Sequence, residues 1–271
     1  MNKWGGAIGA LVVASLSACF AVPDPLAPGI RGSVGRPSYG VLTGAVSLPM
    51  TGPGFVRIHD NAVHFGSPRL VRTIERAALE VAAERPGSPR LVIGDLSKEA
   101  GGKAEGHASH RSGRDADILY FVTTPDGAPV ESPGFVRFGP DGLGEVPRSS
   151  KRFAGRILRL DVARTWLLVK ALIQTPGANV QWIFAARPIQ ALLVEEARAR
   201  GEDPHLVWYA ENVLHQPTDS EAHDDHMHVR LACDEDDAVH GCEGGPDWPF
   251  LPAPPSLEIS DEEEVAALFE P

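Results

Sequence analysis

The spacing of apolar residues predicts four helices between residues 67 and 214. Leu70, Ile74 and Val81 recur at the intervals of one face of an amphipathic helix. Ser67 is suited to cap that helix, and Pro86 to follow its end. The same reasoning predicts three further helices, which run from Val162 to about Gln174, from Pro188 to near Gly201, and from Pro204 to about Leu214.

Short apolar runs bounded by turn residues predict strands among these helices, at residues 90–96, 115–122, 180–184 and 226–231. Helices and strands in this order predict an α+β domain with a mainly antiparallel central sheet flanked by helices. Residues 20–54 are rich in Pro and Gly and show no sustained period, so no regular element is predicted there. No helix or strand is predicted for residues 128–156, where the sequence shows the weakest pattern.

The first residues are typical of an export signal. Lys3 precedes a largely apolar stretch of ten residues, Ala7 to Leu16, which is too short to span a bilayer. The stretch ends in Leu16-Ser17-Ala18-Cys19, which resembles the lipobox where bacterial lipoproteins are cut before a lipidated cysteine. We therefore expect a signal peptide at 1–18, a lipid on Cys19 that anchors the protein to a membrane, and a tether at 19–54. An ordinary cleaved signal with an incidental cysteine is the alternative.

Acidic charge is concentrated at the C-terminus. The formal net charge is −11, but residues 231–271 hold 12 of the 36 acidic residues and no Lys or Arg. The rest of the chain is close to neutral. A neutral body with an acidic tail argues against nucleic acid as a partner, because phosphate binding needs a basic surface. We expect a folded domain at 55–250 and a solvated acidic tail at 251–271.

The chain contains three cysteines, an odd number for an exported protein. If Cys19 carries a lipid, Cys233 and Cys242 remain as a pair nine residues apart. An oxidising compartment favours a disulfide between them. Two free thiols are the alternative.

Two histidine-rich segments contain the candidate chemistry, GHASHRSGRDAD at 106–117 and HDDHMHVRL at 223–231. Alternate residues of a strand face one side, so the imidazoles of His226 and His228 project together. Gly113 permits a tight turn that brings Asp117 back beside His110. Two histidines and one aspartate suit zinc, and three protein ligands leave a fourth position for water, as in catalytic sites.

These segments resemble the penicillin-insensitive murein endopeptidases, within the wider group of lysostaphin, D-Ala-D-Ala peptidases and the Hedgehog domain. Ser109-His110-x-x-Gly113-x-x-x-Asp117 is similar to the first motif of that group, and His226-Met227-His228 is similar to the second. The stretch at 94–110 and the closing segment from His223 to Cys233 resemble the murein endopeptidases in particular. The resemblance covers roughly residues 68–242 and implies a fold like that of the D-Ala-D-Ala peptidases and the Hedgehog domain.

The resemblance also implies roles for single residues. The expected zinc ligands are His110, Asp117 and His228. His226 matches the histidine that takes a proton from the attacking water, and His223 matches a second active-site histidine that hydrogen-bonds the substrate or the developing oxyanion. His107 matches a further histidine near the site. Three carboxylates are candidates for orienting these imidazoles, with loop capping or a surface position as the alternative for each: Asp95, Asp115 and Asp224.

The implied activity is zinc-dependent hydrolysis of D-alanyl-diamino acid cross-links of peptidoglycan in the periplasm. The sequence contains no His-Glu-x-x-His, phosphate-loop or Gly-x-Ser-x-Gly pattern. One alternative is a D-Ala-D-Ala carboxypeptidase or dipeptidase on the same scaffold, which needs an arginine for a terminal carboxylate: Arg111, Arg114 or Arg230. Another is a zinc-bearing cell-wall binding module without turnover, against which the presence of His223 and His226 argues.

Overall fold

The computed structural model describes residues 30–218 and 220–245, which form fifteen strands and five helices. The strands are β1 (Gly32–Arg36), β2 (Tyr39–Thr43), β3 (Val46–Ser47), β4 (Thr51–Gly52), β5 (Phe55–Arg57), β6 (Phe65–Gly66), β7 (Leu91–Ile93), β8 (Asp115–Leu119), β9 (Val122–Thr123), β10 (Pro129–Val130), β11 (Leu143–Glu145), β12 (Ile157–Leu160), β13 (Val180–Phe184), β14 (Leu214–His215) and β15 (His226–Leu231). The helices are α1 (Pro68–Glu84), α2 (Val162–Gln174), α3 (Arg187–Ala199), α4 (Pro204–Val213) and α5 (Glu235–Val239). The predicted signal peptide, the lipidation at Cys19 and the acidic tail lie outside the described residues.

A seven-stranded sheet forms the centre of the fold, in the order β14-β13-β15-β8-β7-β5-β4. β14 pairs parallel with β13 and β5 pairs parallel with β7, whereas the other neighbours pair antiparallel. A four-stranded antiparallel sheet, β10-β9-β12-β11, and the pairs β1-β2 and β3-β6 account for the other described strands. The predicted α+β class is confirmed, with a central sheet that is mixed.

One hydrophobic core lies between the central sheet and the helices. Met227 and Val229 of β15 are fully buried and belong to the same apolar cluster as Trp166 of α2. Successive residues of a strand face opposite sides of the sheet, so His226 and His228 project away from this core. None of the helices among the described residues is both long and apolar enough to cross a membrane.

All four predicted helices are present, and the predicted range 162–174 coincides with α2. Ser67 and Asp161 cap α1 and α2 by accepting hydrogen bonds from the backbone N–H groups of Leu70 and Arg164. The strand predicted at 115–122 is divided in two, because the chain leaves the central sheet after β8 and enters the four-stranded sheet at β9.

The prediction of no regular element is wrong for residues 32–52, which form β1 to β4. These strands are two to five residues long, and distant partners hold them in place. The backbone N–H of Gly35, for example, donates to the carbonyl of Gly241 at 2.8 Å. Pairing of this kind depends on neighbours and leaves no periodic signal in the sequence.

The predicted disulfide between Cys233 and Cys242 is present and closes a loop that contains α5. Arg114 joins this loop to the hairpin β1-β2, because its Nη2 donates to the Glu243 carbonyl at 2.7 Å and its Nε donates to Ser33 Oγ at 3.0 Å. We call the hairpin (residues 32–43), Arg114 and the disulfide loop (residues 233–243) the clasp. It fastens both ends of the described chain beside β8.

Candidate active site

Two neighbouring strands of the central sheet place the candidate site. His228 of β15 lies directly opposite Asp117 of β8 in the antiparallel register. His226, His228 and Arg230 alternate with buried apolar residues, so all three side chains lie on the face of the sheet away from the core. The alternation in the sequence therefore produces both the core contact and the site.

A tight turn brings His110 to this face. His110 and Gly113 both have positive φ angles, of 64° and 73°. A Cβ atom at Gly113 would meet Leu42 of β2 at 2.6 Å, so this position needs glycine. The turn is fixed by the His110 backbone N–H, which donates to Asp115 Oδ2 at 3.2 Å, and by the Gly113 N–H, which donates to Ser97 Oγ at 3.0 Å.

Three donor atoms from these elements meet at short range. Asp117 Oδ1 lies 3.2 Å from His110 Nε2 and 3.1 Å from His228 Nδ1, and the two nitrogens lie 3.3 Å apart. All three side chains are buried. Ligand atoms around a tetrahedral zinc ion, bound at about 2.0–2.2 Å, are separated by about 3.3–3.5 Å.

The outer ring nitrogens of both histidines have fixed partners. His110 Nδ1 donates to the Leu96 carbonyl at 2.8 Å, and His228 Nε2 donates to Asp115 Oδ1 at 3.0 Å. The inner nitrogens therefore present lone pairs to Asp117 Oδ1, which is itself an acceptor. Three acceptors that face one another call for a cation between them, so this donor set fits a metal ion.

The charges at this point are strongly coupled. Burial alone would raise the pKa of Asp117, but the neighbouring imidazoles, His110 first, hold that pKa well below its ordinary value. Burial alone would lower the pKa of His228, but Asp115 and Asp117 raise it. A metal ion at this point would therefore compete with a proton for the same lone pair on His228.

His107 lies at the edge of this cluster. A ligand atom of His107 lies within 4.8 Å of those of His110 and Asp117, which makes these three an alternative metal-binding set. His107 is less buried, however, and its Nδ1 is 3.7 Å from Asp117 Oδ2. The set with His228 is the tighter one, since all of its separations are 3.1–3.3 Å.

Asp95 fixes the orientation of His107. Its carboxylate accepts hydrogen bonds from His107 Nε2 at 3.1 Å and Asn61 Nδ2 at 2.8 Å, and it lies 3.2 Å from His59 Nδ1. Burial opposes ionisation of Asp95, but these contacts lower its pKa to about 2. His107 Nδ1 is thereby directed towards Asp117.

His226 lies between two carboxylates. Its Nδ1 is 2.6 Å from Asp225 Oδ1, and its Nε2 is 3.4 Å from Asp117 Oδ1. Burial lowers the pKa of His226, but the contacts with Asp117 and Asp225 outweigh it and raise the pKa to about 9. The ring of Phe135 packs edge-on against His226, with centroids 5.3 Å apart.

His223 completes the group. Its ring centroid is 5.0 Å from that of His226 and 5.5 Å from that of His228. Its backbone has a positive φ of 57°, and its carbonyl accepts hydrogen bonds from Tyr120 Oη at 2.9 Å and from the Ala186 N–H at 3.0 Å. Burial, followed by the charges of His228 and His226, lowers the pKa of His223 to about 4.

Comparison with known proteins places this site in a family. A family model described as penicillin-insensitive murein endopeptidase matches residues 33–132. A penicillin-insensitive murein endopeptidase of Haemophilus influenzae is 32% identical over 218 residues, which cover 79% of this chain and 68% of the relative. One from Escherichia coli K12 is 31% identical over 279 residues, which cover 100% of this chain and 89% of the relative. The chain belongs to the penicillin-insensitive murein endopeptidase family.

The segment that matches the murein endopeptidase family model contains His107, His110 and Asp117 but ends before the second histidine segment. The alignment with the Escherichia coli murein endopeptidase extends over the whole chain and so includes both segments. The structure brings the six site residues predicted from the sequence into one cluster: His107, His110, Asp117, His223, His226 and His228. Their roles in this family member stay predictions.

Several neighbours of this cluster were not predicted from the sequence. Asp225 could have been noticed, because it directly precedes His226 in a strand-like segment. His59, Asn61 and Phe135 belong to loops distant in sequence, and nothing in their spacing indicates the site. Asp224, a candidate for orienting an imidazole, accepts a hydrogen bond from the Phe138 N–H through its carbonyl, and its side chain lies near Arg137.

Proposed function

We propose that this protein is a zinc-dependent murein endopeptidase that hydrolyses D-alanyl-diamino acid cross-links of peptidoglycan. The supporting observation is the meeting of His110 Nε2, Asp117 Oδ1 and His228 Nδ1 at 3.1–3.3 Å, in a family whose members are named murein endopeptidases. These three side chains would hold the ion. Zinc in such a site acidifies water and polarises a carbonyl group.

His226 is the base in this proposal. Asp225 Oδ1 accepts a hydrogen bond from Nδ1–H, so Nε2 faces the reaction site. As the water oxygen attacks the scissile carbonyl carbon, Nε2 takes the water proton and then returns it to the amine that leaves when the C–N bond breaks. The negative charge of Asp117 raises the pKa of His226 when no cation is bound to Asp117. A cation bound by Asp117 would share that charge, lower the pKa of His226 and so favour its action as a base.

His223 has the complementary role. With a pKa of about 4, it is neutral at pH 7 and does not compete with His226 for the proton. A neutral imidazole can still donate a hydrogen bond to the oxygen that gains negative charge during attack. His107, oriented by Asp95, is directed at the same region and would contact substrate.

The cellular setting follows from the N-terminal sequence. A signal peptide at 1–18 and a lipid on Cys19 would place the protein in the periplasm, anchored to a membrane, with peptidoglycan cross-links as its substrate. The likeness of the fold to the D-Ala-D-Ala peptidases and the Hedgehog domain belongs to the same proposal. Nucleic acid is not an expected partner.

The test is mass spectrometry of purified cross-linked muropeptide dimers incubated with the domain, with and without a chelator. We expect conversion of dimers to monomers, loss of conversion with chelator, and recovery with zinc. His226→Ala protein, which keeps all three ligands, is the matched control and should bind zinc without cleaving. Loss of a terminal alanine in place of dimer cleavage would indicate a carboxypeptidase. Unchanged dimers with zinc bound would indicate a binding module.

A further inference from the structure

Arg230 is the arginine that β15 presents beside the metal ligands. It follows His228 by two residues on the same face of the sheet and is partly exposed. Arg114, by contrast, is fully buried, and its guanidinium donates to Ser33 Oγ and to the backbone carbonyls of Leu231 and Glu243. The backbone of Arg111 bonds to Pro37, at the turn of the β1-β2 hairpin.

The guanidinium of Arg230 is held on one edge and along one face. Its Nε donates to Asp115 Oδ1 at 2.6 Å, and the same oxygen accepts from His228 Nε2 at 3.0 Å. Its central carbon lies 5.2 Å from the centroid of the Phe184 ring. Among the described residues, none accepts a hydrogen bond from Nη1 or Nη2. Within the described part of the chain, the terminal edge of this planar cation thus has no protein acceptor, and the side chain is 20% exposed.

We propose that this edge of Arg230 binds the carboxylate carried by the leaving residue, on the carbon that bears the scissile nitrogen. The inference deepens the proposed function and rests on it. In a cross-link to a diamino acid with two carboxylates, such as diaminopimelate, that carbon bears a free carboxylate. In a stem peptide that ends in D-Ala-D-Ala, the terminal alanine presents the same group.

The distances suit this role. The carboxylate carbon is three bonds from the scissile carbonyl carbon, a separation of about 3.5 Å. A group that binds this carboxylate must therefore lie close to the three side chains that would hold the ion. Arg230 is the one arginine of β15. It lies two residues from His228 on the same face of the sheet, and both side chains contact Asp115 Oδ1. The two terminal nitrogens of a guanidinium match the two oxygens of a carboxylate, which a lysine ammonium cannot do.

The test compares two cross-linked dimers that differ only at this carboxylate, which is free in one and amidated in the other. For the wild type, we expect kcat/KM to be about 10- to 100-fold higher for the free form, as for loss of a charge-assisted hydrogen bond. For Arg230→Gln, the two dimers should react within about threefold of each other. The ratio within one variant cancels any general damage from the loss of the Asp115 contact.

Arg137→Gln is the matched control. Arg137 is 67% exposed and lies near Asp224 and Asp225, at the rim of the same site. This variant should keep the wild-type ratio. A D-Ala-D-Ala stem peptide, free or amidated at its C-terminus, is run in parallel. Discrimination by Arg230 confined to that peptide would assign the carboxylate to a terminal residue, against the cross-link assignment.

The proposal is overturned if the wild type cleaves both dimers equally, or if Arg230→Gln keeps the discrimination. Either result leaves the endopeptidase function standing. If the wild type cleaves neither dimer, the proposed function fails instead. The dissociation constants of the two dimers, measured by calorimetry on chelator-treated protein, then decide the role of Arg230: a preference for the free form that Arg230→Gln abolishes supports it, and equal binding refutes it.

Discussion

Asp115 and Asp117 lie two residues apart on β8 and contact opposite edges of one imidazole. Asp115 Oδ1 lies 3.0 Å from His228 Nε2, and Asp117 Oδ1 lies 3.1 Å from His228 Nδ1. Asp115 is completely buried, and burial would raise its pKa, but Arg230 and the imidazoles keep that pKa well below its ordinary value. An ionised Asp115 accepts a hydrogen bond from Nε2–H, which leaves the lone pair of Nδ1 for a metal ion to bind. In the proposed zinc site, Asp115 would therefore position His228 as a ligand.

We expect Asp115→Asn to weaken zinc binding about 10- to 100-fold, which is the usual effect of removing a carboxylate that orients a ligating histidine. The substitution keeps the size of the side chain and removes its charge. Zinc affinity is measured by competition with a chromophoric chelator, and thermal unfolding checks that the fold is retained. Asp224→Asn is the control, because the Asp224 carboxylate lies near Arg137 rather than an imidazole of the cluster, and its affinity should not change. If both variants bind zinc as tightly as each other, Asp115 does not position a zinc ligand.

The part of the site that could be predicted from the sequence depends on regular spacing. His226 and His228 are two apart in a strand, and Gly113 marks a turn between His110 and Asp117, so local geometry and the family resemblance together indicate the cluster. His59 and Asn61 reach Asp95 from a loop more than thirty residues earlier in the chain. Such a contact depends on tertiary packing, for which the sequence has no local pattern.

Among the larger elements, length decides what could be predicted. α1 and α2 bury one side over several turns, so their apolar spacing and caps are visible in the sequence. The strands β1 to β4 are short, and their hydrogen bonds are made with remote segments. The clasp could not be predicted, because the separate sequences of the disulfide loop, Arg114 and the hairpin do not indicate that they contact one another. These contacts form only when the fold brings all three segments together beside β8.

Removal of the disulfide tests the clasp. We expect a Cys233→Ala, Cys242→Ala double variant to lose about 2–4 kcal/mol of unfolding free energy, because the cross-link no longer restricts the unfolded chain. The measurement is denaturant unfolding of the variant beside oxidised and reduced wild type. Reduced wild type is the matched control and should unfold at the same denaturant concentration as the variant. A midpoint equal to that of the oxidised protein would show that Arg114 and the hairpin hold the loop without the bridge.

The described residues from Arg31 onward belong to one compact unit, which includes residues 31–54 of the segment that the composition predicts as a tether. Leu48, in that segment, is fully buried, and Leu42 packs against Gly113 in the turn that presents His110. Ser33 accepts a hydrogen bond from buried Arg114. The hairpin thus packs against the turn that presents His110, and a domain boundary at residue 55 would remove these contacts.

Two truncated proteins distinguish these boundaries. A protein of residues 31–271 should unfold at the same denaturant concentration as the chain from residue 19, and it should keep its metal. A protein of residues 55–271 should be unfolded or marginal, because each buried leucine is worth about 2–5 kcal/mol and a whole domain has only about 5–15 kcal/mol to lose. Denaturant unfolding and zinc stoichiometry are measured on both. If the shorter protein matches the longer one in both measurements, residues 31–54 act as a tether and the domain begins at 55, as the composition predicts. If it fails while the longer one folds, the β1-β2 hairpin is part of the catalytic domain, and the tether ends before Arg31.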